Sequence, residues 1–476
     1  MGYISQSAGY LFLAIFGIAM VLVTYFFARW KKWHTKEGFL VAGRQVGWGI
    51  GASSIAASWI WAPALFVSVQ LSYQKGLAGI FWFTAPNILA LAIFAFLAPR
   101  IRKLLPEGYT LPQYIRHRLQ SEKVHKIYLF PYFFYQLMAI TVQLFAGGSL
   151  VSLLTGIPLT IVMPILAVIA LVYTLISGLE ASIITDFVQL AMIFVIGAII
   201  LPMTWAAAGG SSAISAGLNG IEGIKNIFDP GVAFSLGIVT AIGLIAGAIS
   251  DQQYWQRTFA IKKNQLVKAF VVGALLFGIV PIALSTLGFL AANPALGVVL
   301  PAGVDVSMIG VQTVANLLPT WAVFLFVVML LCGLSSTLDS GLSAASSLWV
   351  TDVKKSKNDD EAIKSARAAM IGITIVGLAI APQFGLFHLW WIFNTIAACI
   401  VVPTILSLYW SRLDARGVFW GVLVAFVVGL PLFIYGNVID NPVWTVGASL
   451  FIIAISTVFC LAMPRKTAWK PAELSE

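Results

Sequence analysis

Charged residues, histidine and cysteine are all scarce in this sequence. Only 10% of its 476 residues are charged, whereas soluble domains carry about 25%. Its three cysteines, Cys332, Cys399 and Cys460, are far apart, so neither a disulfide framework nor a metal-binding spacing is indicated. The four histidines show no ligand pattern either. These shortages argue against a soluble domain, a disulfide-linked scaffold and a metal centre built from Cys and His.

Long polar segments are also missing. The longest stretches between apolar runs, near 207–231 and 293–315, have about 25 residues and are rich in Gly, Ala and Pro. They are too short for a separate catalytic domain. No nucleophile–base pair and no phosphate-binding loop is visible. We therefore expect that the chain is not an enzyme and that its activity lies among the apolar segments.

Apolar residues dominate the composition. Sixty per cent of the residues are hydrophobic, and the mean hydropathy is +0.95. A hydrocarbon core of roughly 30 Å needs about 20 mostly apolar residues per helix, and such runs recur along the whole chain. The sequence predicts an all-α polytopic membrane protein with about thirteen transmembrane helices. They are predicted near 8–28, 47–73, 78–98, 126–153, 158–177, 181–206, 232–255, 267–292, 316–349, 364–381, 386–409, 417–435 and 442–463.

The net charge of +10 is unevenly distributed between the segments that join these spans. Alternate segments carry 26 of the 28 Lys and Arg residues, and only Lys75 and Lys225 fall between the others. Because cytoplasmic loops carry an excess of Lys and Arg, this pattern predicts an N-terminus outside and a C-terminus in the cytoplasm. It indicates an integral, multi-pass protein of the plasma (inner) membrane, whose partner is the lipid bilayer and not nucleic acid.

The segment CGLSSTLDSGLSAASSLWVTD, residues 332–352, places eight hydroxyls directly after an apolar run. On a helix, Gly333, Ser336, Thr337 and Ser340 share one face. Hydroxyl and carbonyl oxygens suit a hard monovalent cation such as Na⁺, whereas Ca²⁺ favours several carboxylates. The alternative is close helix packing, which small residues allow in membranes. We expect a cation site on this face.

Four acids lie in or near the predicted spans: Glu180, Asp186, Asp251 and Asp339. Acids inside spans are costly and mark ion or solute pathways. Asp339 lies deepest and borders the hydroxyl face. Glu180 is expected to be a solvated turn residue, while Asp251 has two open interpretations, a helix-terminal or a functional residue.

A second element must supply further oxygens to such a cation. The best candidate is GASSIAASWIWAPALF, residues 51–66, because Pro63 frees a backbone carbonyl and disfavours helical geometry before it. Unwound carbonyls of broken helices coordinate Na⁺ in transporters. Trp59 and Trp61 either wall a solute pocket beside the break or only pack.

Five motifs in order resemble the sodium:solute symporter family over about residues 5–460. They are FLVAGR (39–44), GYTLPQYIRHRL (108–119), ITDFVQ (184–189), DQQYWQRTFAIKK (251–263) and LSSTLDS (334–340). The resemblance implies a LeuT-like core of two inverted five-helix repeats with broken helices. The implied divisions are an extra helix and loop (1–46), the first repeat (47–206), an extracellular loop (207–231), the inverted repeat (232–409), and two C-terminal helices with a tail (410–476).

The resemblance also implies a sodium site between the broken helix and the hydroxyl-rich helix. Aligned on the motifs, its ligands are the backbone oxygens of Ala57, Ile60 and Gly333 and the side chains of Ser336 and Thr337.

A second cation site is implied beside the first. The aspartate of the family motif falls on Asp186, which some members use for a second sodium. Asp339 departs from the family pattern, which has a small or hydroxyl residue there. It could join Asp186, Ser336 and Ser340 in that site, it could be protonated, or it could serve a proton-coupled step.

The solute candidates come from the branch of the family that the sequence resembles most, the urea-transporting branch, through SWIWAPALFVSVQLSYQKGLAGIFWF (58–83). An aromatic box with few polar contacts suits a small, neutral, planar solute. The candidate solute-binding residues are Trp59, Trp61, Trp82, Gln136, Gln253 and Asn394.

The sequence therefore predicts a sodium-coupled symporter that imports urea or a similar small neutral solute by alternating access. The open alternatives are another solute, such as proline or a small carboxylate, a passive channel, or a transport-like sensor. The oligomeric state is left open.

Overall fold

The computed structural model describes residues 3–30, 35–354, 356–383 and 386–470. Within these ranges the regular secondary structure is helical, without any strand. A single isolated parallel bridge pairs Val46 with Ile261. The helices are α1 (Gln6–Trp30), α2 (Lys36–Val41), α3 (Trp48–Trp59), α4 (Ser68–Ala92), α5 (Phe94–Leu104), α6 (Leu111–Leu119), α7 (Glu122–Thr155), α8 (Leu159–Ala208), α9 (Ser211–Ala216), α10 (Pro230–Val232), α11 (Ile238–Ser250), α12 (Gln252–Ala260), α13 (Leu266–Ala292), α14 (Ile309–Leu317), α15 (Thr320–Leu348), α16 (Asp359–Ile380), α17 (Leu386–Tyr409), α18 (Ala415–Val424), α19 (Leu430–Val438) and α20 (Pro442–Ala462).

Short turns of other helix types join several of these helices. Single π-helical turns lie at Pro63–Val67, Ala233–Gly237, Trp349–Val353 and Ala425–Gly429, and 3₁₀ turns lie at Ala42–Arg44, Lys263–Gln265, Pro294–Leu296, Val306–Met308 and Ala381–Gln383.

In the described part of the chain, twelve continuous helical stretches are long and apolar enough to cross a membrane. The prediction of about thirteen is close, and the difference lies in one stretch, Pro63–Leu104, which has 42 residues. Inside it Gly76 has φ 59° and ψ −141°, which interrupts the helix. The residues before Gly76 continue the span that begins with α3, and those after it form the next one. Glycine is needed here because other residues avoid this backbone region.

Gly178 divides α8 in the same way, with φ 65° and ψ −145°. The two resulting stretches, Leu159–Ile176 and Gly178–Ala208, each suffice to cross a membrane. Close approach explains both glycines, because a β-carbon at Gly76 would overlap the Leu218 oxygen and one at Gly178 would overlap Phe39.

The connecting segments fall on two sides of the helix bundle. On one side, which we call the basic side, Val46 N donates to Ala260 O (3.1 Å) and Thr110 Oγ1 donates to Asp352 Oδ2 (2.7 Å). On the opposite side, Leu77 N donates to Leu218 O (2.9 Å). This agrees with the sorting of the loops by charge. Which side faces the cytoplasm stays a prediction, as do the boundaries of the inverted repeats.

Two spans are broken in mid-course. The first break follows Trp59, where Ile60 has φ −79° and ψ 62°, and the helix resumes near Pro63. The N–H of Ala62, which lies at the break, donates to the side-chain oxygen of Gln143 on α7 (2.9 Å). The break expected from Pro63 is therefore present, and a buried polar side chain compensates the lost backbone bond.

The second break lies at Asp251, between α11 and α12. Its extended backbone (φ −84°, ψ 111°) ends α11, and its carboxylate accepts a hydrogen bond from Gln253 N (2.9 Å), so it caps α12. The helix-terminal interpretation of Asp251 is therefore correct. All nine residues of α12 are buried, including Gln252, Gln256 and Arg257.

We expect Gly76→Ala to lower the free energy of unfolding by about 1–3 kcal/mol, because alanine disfavours this backbone region and its β-carbon would overlap Leu218. Thermal unfolding of the purified protein in detergent measures the effect. Gly372→Ala on α16 is the matched control, since nothing lies within 4 Å of its added carbon. Equal melting temperatures for the two variants would contradict the role given to Gly76.

Candidate cation and solute sites

The hydroxyl-rich helix α15 lies directly against the break in α3. A β-carbon at Gly333 would lie 3.0 Å from the Ile60 backbone oxygen, so glycine allows this close approach. One turn further, Thr337 Oγ1 donates to the backbone oxygen of Ser58 (3.2 Å). The two elements predicted to share a cation are therefore in contact.

Backbone oxygens are available at this contact. Pro63 has no N–H to donate to the Trp59 oxygen. In a regular helix the N–H of Ala64 would bond to the Ile60 oxygen, but here it donates to the Trp61 oxygen (2.9 Å). The Ala57 oxygen accepts from Ile60 N (3.1 Å) and keeps a second lone pair. The structure thus brings Ala57, Ile60, Gly333, Ser336 and Thr337 to one region, and their binding of sodium stays a prediction.

Asp186 lies beside this region and is fully buried. Its Oδ1 accepts a short hydrogen bond from Ser336 Oγ, and its Oδ2 accepts from Ser54 Oγ (2.5 Å) and from the Arg257 guanidinium (2.8 Å). Because Ser336 donates its proton to Asp186, its oxygen lone pairs remain free for a cation. The predicted proximity of Asp186 to the hydroxyl face is therefore observed.

Arg257 was counted with the charges of a loop, and that interpretation is wrong. Its side chain is 0% exposed and pairs with Asp186. It also donates to Ser54 Oγ (2.8 Å), Ser340 Oγ (2.7 Å) and the backbone oxygen of Gln253 (3.1 Å). The signal in the sequence was its place in DQQYWQR, where position 257 lies one helical turn after Gln253 and shares its face.

Asp339 is also fully buried and completes the cluster. Its Oδ1 accepts from Ser182 Oγ (2.6 Å) and Ser340 Oγ (3.3 Å), and its Oδ2 has no hydrogen-bond partner in the described part of the chain. The cluster thus holds two carboxyl groups and one guanidinium. Either a proton or a further cation at the Asp339 carboxyl would balance its charge, and Oδ2 is the oxygen without a partner that would bind it.

Glu180 differs from its sequence interpretation. It is only 9% exposed, so it is not a solvated turn residue. Glu180 follows Gly178 by two residues, and the helix resumes directly after that glycine, so Glu180 stays within the helix bundle.

Trp59 and Trp61 lie together at the break of α3. Both are buried, and their rings stack with centroids 5.5 Å apart. Tyr254 of α12, which the sequence analysis did not single out, packs edge-on against Trp59 at 5.2 Å. Trp59 Nε1 donates to Asn87 Oδ1 (2.8 Å). These rings pack against one another beside the break, and their role in walling a solute pocket stays a prediction.

Gln136 and Gln253 meet at the second break. Gln136 Nε2 donates to Asp251 Oδ1 (3.0 Å), which also accepts from the Gln253 backbone. The side-chain oxygens of both glutamines lack partners in the described structure. Both side chains border Gly341 of α15, whose added β-carbon would lie 3.9 Å from Gln136 Oε1 and 3.8 Å from Gln253 Nε2. This convergence supplies unpaired acceptors beside the cation region.

Asn394 reaches α11 from α17. It is 3% exposed, its Oδ1 has no partner in the described residues, and it packs on Gly243 and Gly247. The Tyr135 hydroxyl borders Gly247 as well. Trp82 lies apart from this group, because its ring packs on Gly237 toward the opposite side. Trp82 therefore lies apart from the other solute candidates. We call those others, Trp59, Trp61, Gln136, Gln253 and Asn394, the central group.

The basic side is closed below these residues by hydrogen bonds. Gln252 Nε2 donates to Tyr109 O (2.8 Å), Gln256 Nε2 donates to Leu40 O (2.7 Å), and His125 contacts Asp352 (2.8 Å). Burial lowers the pKa of Lys36 nearby, while the carboxylate of Asp352 acts in the opposite direction. These hydrogen bonds join α12 and α7 to neighbouring segments on the basic side.

Arg257→Met should lower the free energy of unfolding by about 3–5 kcal/mol, because it leaves the Asp186 carboxylate buried without its partner. Adding Asp186→Asn should restore part of the loss. Melting temperatures of the two single variants and the double variant measure the coupling. Arg416→Met is the control, since that side chain is 77% exposed in its pair with Asp414, and it should change stability by less than about 1 kcal/mol. Additive losses in the first pair would rule out the coupling.

Comparison with known proteins agrees with this geometry. The chain is 24% identical over 486 residues to the urea-proton symporter DUR3 of Oryza sativa, covering 90% of this chain and 66% of that protein. It is 26% identical over 450 residues to the urea active transporter of Saccharomyces cerevisiae, covering 85% and 60%. The chain thus spans less than two thirds of the length of these curated relatives. Because the relatives are transporters, the expectation that the chain is not an enzyme is confirmed.

A solved structure shares the fold. It is a Na⁺-coupled sialic acid symporter in a substrate-bound outward-open state, with a TM-score of 0.77, 18% identity, and coverage of 97% of this chain and 99% of that one. The LeuT-like helical fold expected from the sequence is thereby confirmed. Residues 39–425 match the sodium:solute symporter family. This match takes in most of the sequence, both broken helices and all five motifs, and the chain therefore belongs to the sodium:solute symporter family.

Proposed function

We propose that the chain is a sodium-coupled symporter that imports urea, or a similarly small neutral solute, by alternating access. The observation that carries this proposal is the contact of the hydroxyl face of α15 with the broken helix α3 at Gly333 and Ile60. It offers neutral oxygens from two separate elements to one monovalent cation. The basic side would face the cytoplasm of the plasma membrane, with the N-terminus outside.

Sodium couples to conformation because its ligands come from both elements. The ion would hold α3 and α15 together in the state that is closed on the basic side. That state binds solute from outside, and loss of sodium to the cytoplasm would loosen the contact and release solute. The hydrogen bonds that Gln252 and Gln256 make on the basic side support this order of states, since they would have to break before solute could leave toward that side.

The chemistry of the central group supports a urea-like solute. Urea is planar and neutral, with four N–H donors and one carbonyl acceptor. Buried amide oxygens without partners, on Gln136, Gln253 and Asn394, would accept from its N–H groups. The stacked Trp59 and Trp61 would cover a planar face. A carboxylate group has no N–H donors for these amide oxygens, and this disfavours a carboxylate solute.

Proton coupling is the second candidate, because the rice relative is named a urea-proton symporter. In that case a proton on the Asp186 or Asp339 carboxyl would take the place of Na⁺ in the cycle. The two candidates share the same solute and the same cycle, and the driving gradient distinguishes them.

Uptake of labelled urea into proteoliposomes tests the proposal. We expect accumulation above equilibrium with an inward Na⁺ gradient and none when K⁺ replaces Na⁺. Accumulation driven only by an inward proton gradient would replace sodium by the second candidate. Equal entry in all salts would indicate a channel, and no entry would refute the urea assignment.

Thr337→Val should raise the Na⁺ concentration for half-maximal uptake about tenfold or more, since a lost oxygen ligand to a cation costs about 1.5–3 kcal/mol. Ser336→Ala should act in the same direction. Ser346→Ala on the same helix is the control, because its hydroxyl donates only to the Ser343 backbone oxygen (2.7 Å). A parental sodium response in both Thr337→Val and Ser336→Ala would remove these residues from the site.

A further inference from the structure

A polar cavity of about 520 Å³ lies on the opposite side of the bundle, away from the central group. We call it the outer cavity. Its uncharged polar lining comes from four elements: Gln70 and Gln74 of α4, Ser235 of the turn before α11, Asn437 of α19, and Asn441 and Thr445 at the start of α20. Leu71, Leu236 and Trp391 supply its apolar lining.

A loop fixes one wall of the outer cavity. Ile221 N donates to Tyr73 O (2.9 Å), and Glu222 N donates to Gln74 O (3.0 Å). The Glu222 carboxylate binds the Lys75 ammonium at 2.7 Å. This wall is therefore built by backbone hydrogen bonds across the Gly76 break, and its two charges neutralise each other.

The lining of the cavity favours a neutral solute with N–H donors. Gln70 is 9% exposed, and its Oε1 has no partner in the described part of the protein. Its Nε2 makes only a 3.5 Å contact with Gln74 Oε1. Once Lys75 and Glu222 are paired, the remaining charge is Asp440, which is exposed at the rim. The buried carboxamide oxygen is thus the strongest recognition group inside.

A line of small residues runs along the α11 span from Gly237, which follows Leu236 of the cavity lining, to Gly247, which contacts Asn394. Gly237, Thr240, Gly243 and Gly247 follow one another on one side of the α11 span. Trp82 packs on Gly237, and Asn394 packs on Gly243 and Gly247. Thr240 is 2% exposed and its hydroxyl has no described partner. Unpaired polar atoms therefore continue from the cavity inward.

We propose that the outer cavity is a second binding site, specific for small neutral solutes of the amide type such as urea. The solute binds there through the carboxamides of Gln70 and Gln74, and it then moves along the small-residue face of α11 to Asn394. This inference rests on the proposed import of urea, but its site is separate from the central group and can be tested separately.

Cysteine modification tests the site directly, because Cys332, Cys399 and Cys460 are all buried. Ser235→Cys places one thiol in the lining of the outer cavity. Ser212→Cys is the matched control, since that exposed serine also donates to a nearby backbone oxygen and lies outside the cavity. The rate of reaction with a charged, membrane-impermeant thiol reagent is measured with and without urea. We expect urea to slow the reaction several-fold at position 235 and to leave position 212 unchanged.

Two further variants in the Ser235→Cys background separate the two sites. Gln70→Met removes the free oxygen at similar size and should abolish the protection by urea. Asn394→Ala should reduce uptake, yet the protection should persist because the outer site binds independently. Loss of protection in Asn394→Ala would overturn the inference, since the effect would then arise from closure over the central group.

Other outcomes are equally decisive. Urea uptake by the parent without protection at position 235 would refute the outer site alone and leave the proposed function standing. Protection without any driven uptake would support the site and refute the symport. Protection by spermidine but not by urea would overturn the inference, because it would indicate a site for cations formed around Asp440.

Discussion

The buried ion pair between Arg257 and Asp186 holds together the elements on which the candidate sites depend. Arg257 comes from α12 and Asp186 from α8. Ser54 of α3 bonds to both of them, and Ser340 of α15 accepts from Arg257. An ion pair without solvent is stable only when its remaining donors and acceptors are satisfied, and here hydroxyls satisfy them. These contacts therefore stabilise the arrangement of the four helices seen in this structure, and they place the predicted sodium ligands on α3 and α15 close together.

A cation or polar solute inside an apolar bundle also needs oxygen atoms that can bind it. The breaks in α3 and at Asp251 supply such backbone and side-chain oxygens. Each break is compensated by a glutamine on α7: Gln143 binds the Ala62 N–H, and Gln136 binds Asp251. One helix thus supports both interruptions. Through these two glutamines, α7 contacts both the central group and the break beside the cation region.

Much of this could be predicted from the sequence, for identifiable reasons. Pro63 predicted the first break because proline lacks an N–H, and the spacing of Gly333, Ser336 and Thr337 predicted a shared face because helices repeat every 3.6 residues. Arg257 was missed because charge counting assigns arginines to loops, and only its buried partner explains its position. The predicted separation of two spans between residues 73 and 78 coincides with the interruption at Gly76, so the count of about thirteen is close to the twelve continuous stretches of the described chain. Trp82 was grouped with Trp59 and Trp61 through the resemblance to the urea-transporting branch, although its helix places it against Gly237.

The hydrogen bonds that close the basic side have an energetic consequence. Gln252 and Gln256 bind backbone oxygens, and each such bond contributes a net of only about 0.5–1.5 kcal/mol, because water replaces it when the partners separate. The two end states can therefore lie within a few kcal/mol of each other. Under that condition a single bound ion, with a modest difference in affinity between the states, is enough to reverse their populations.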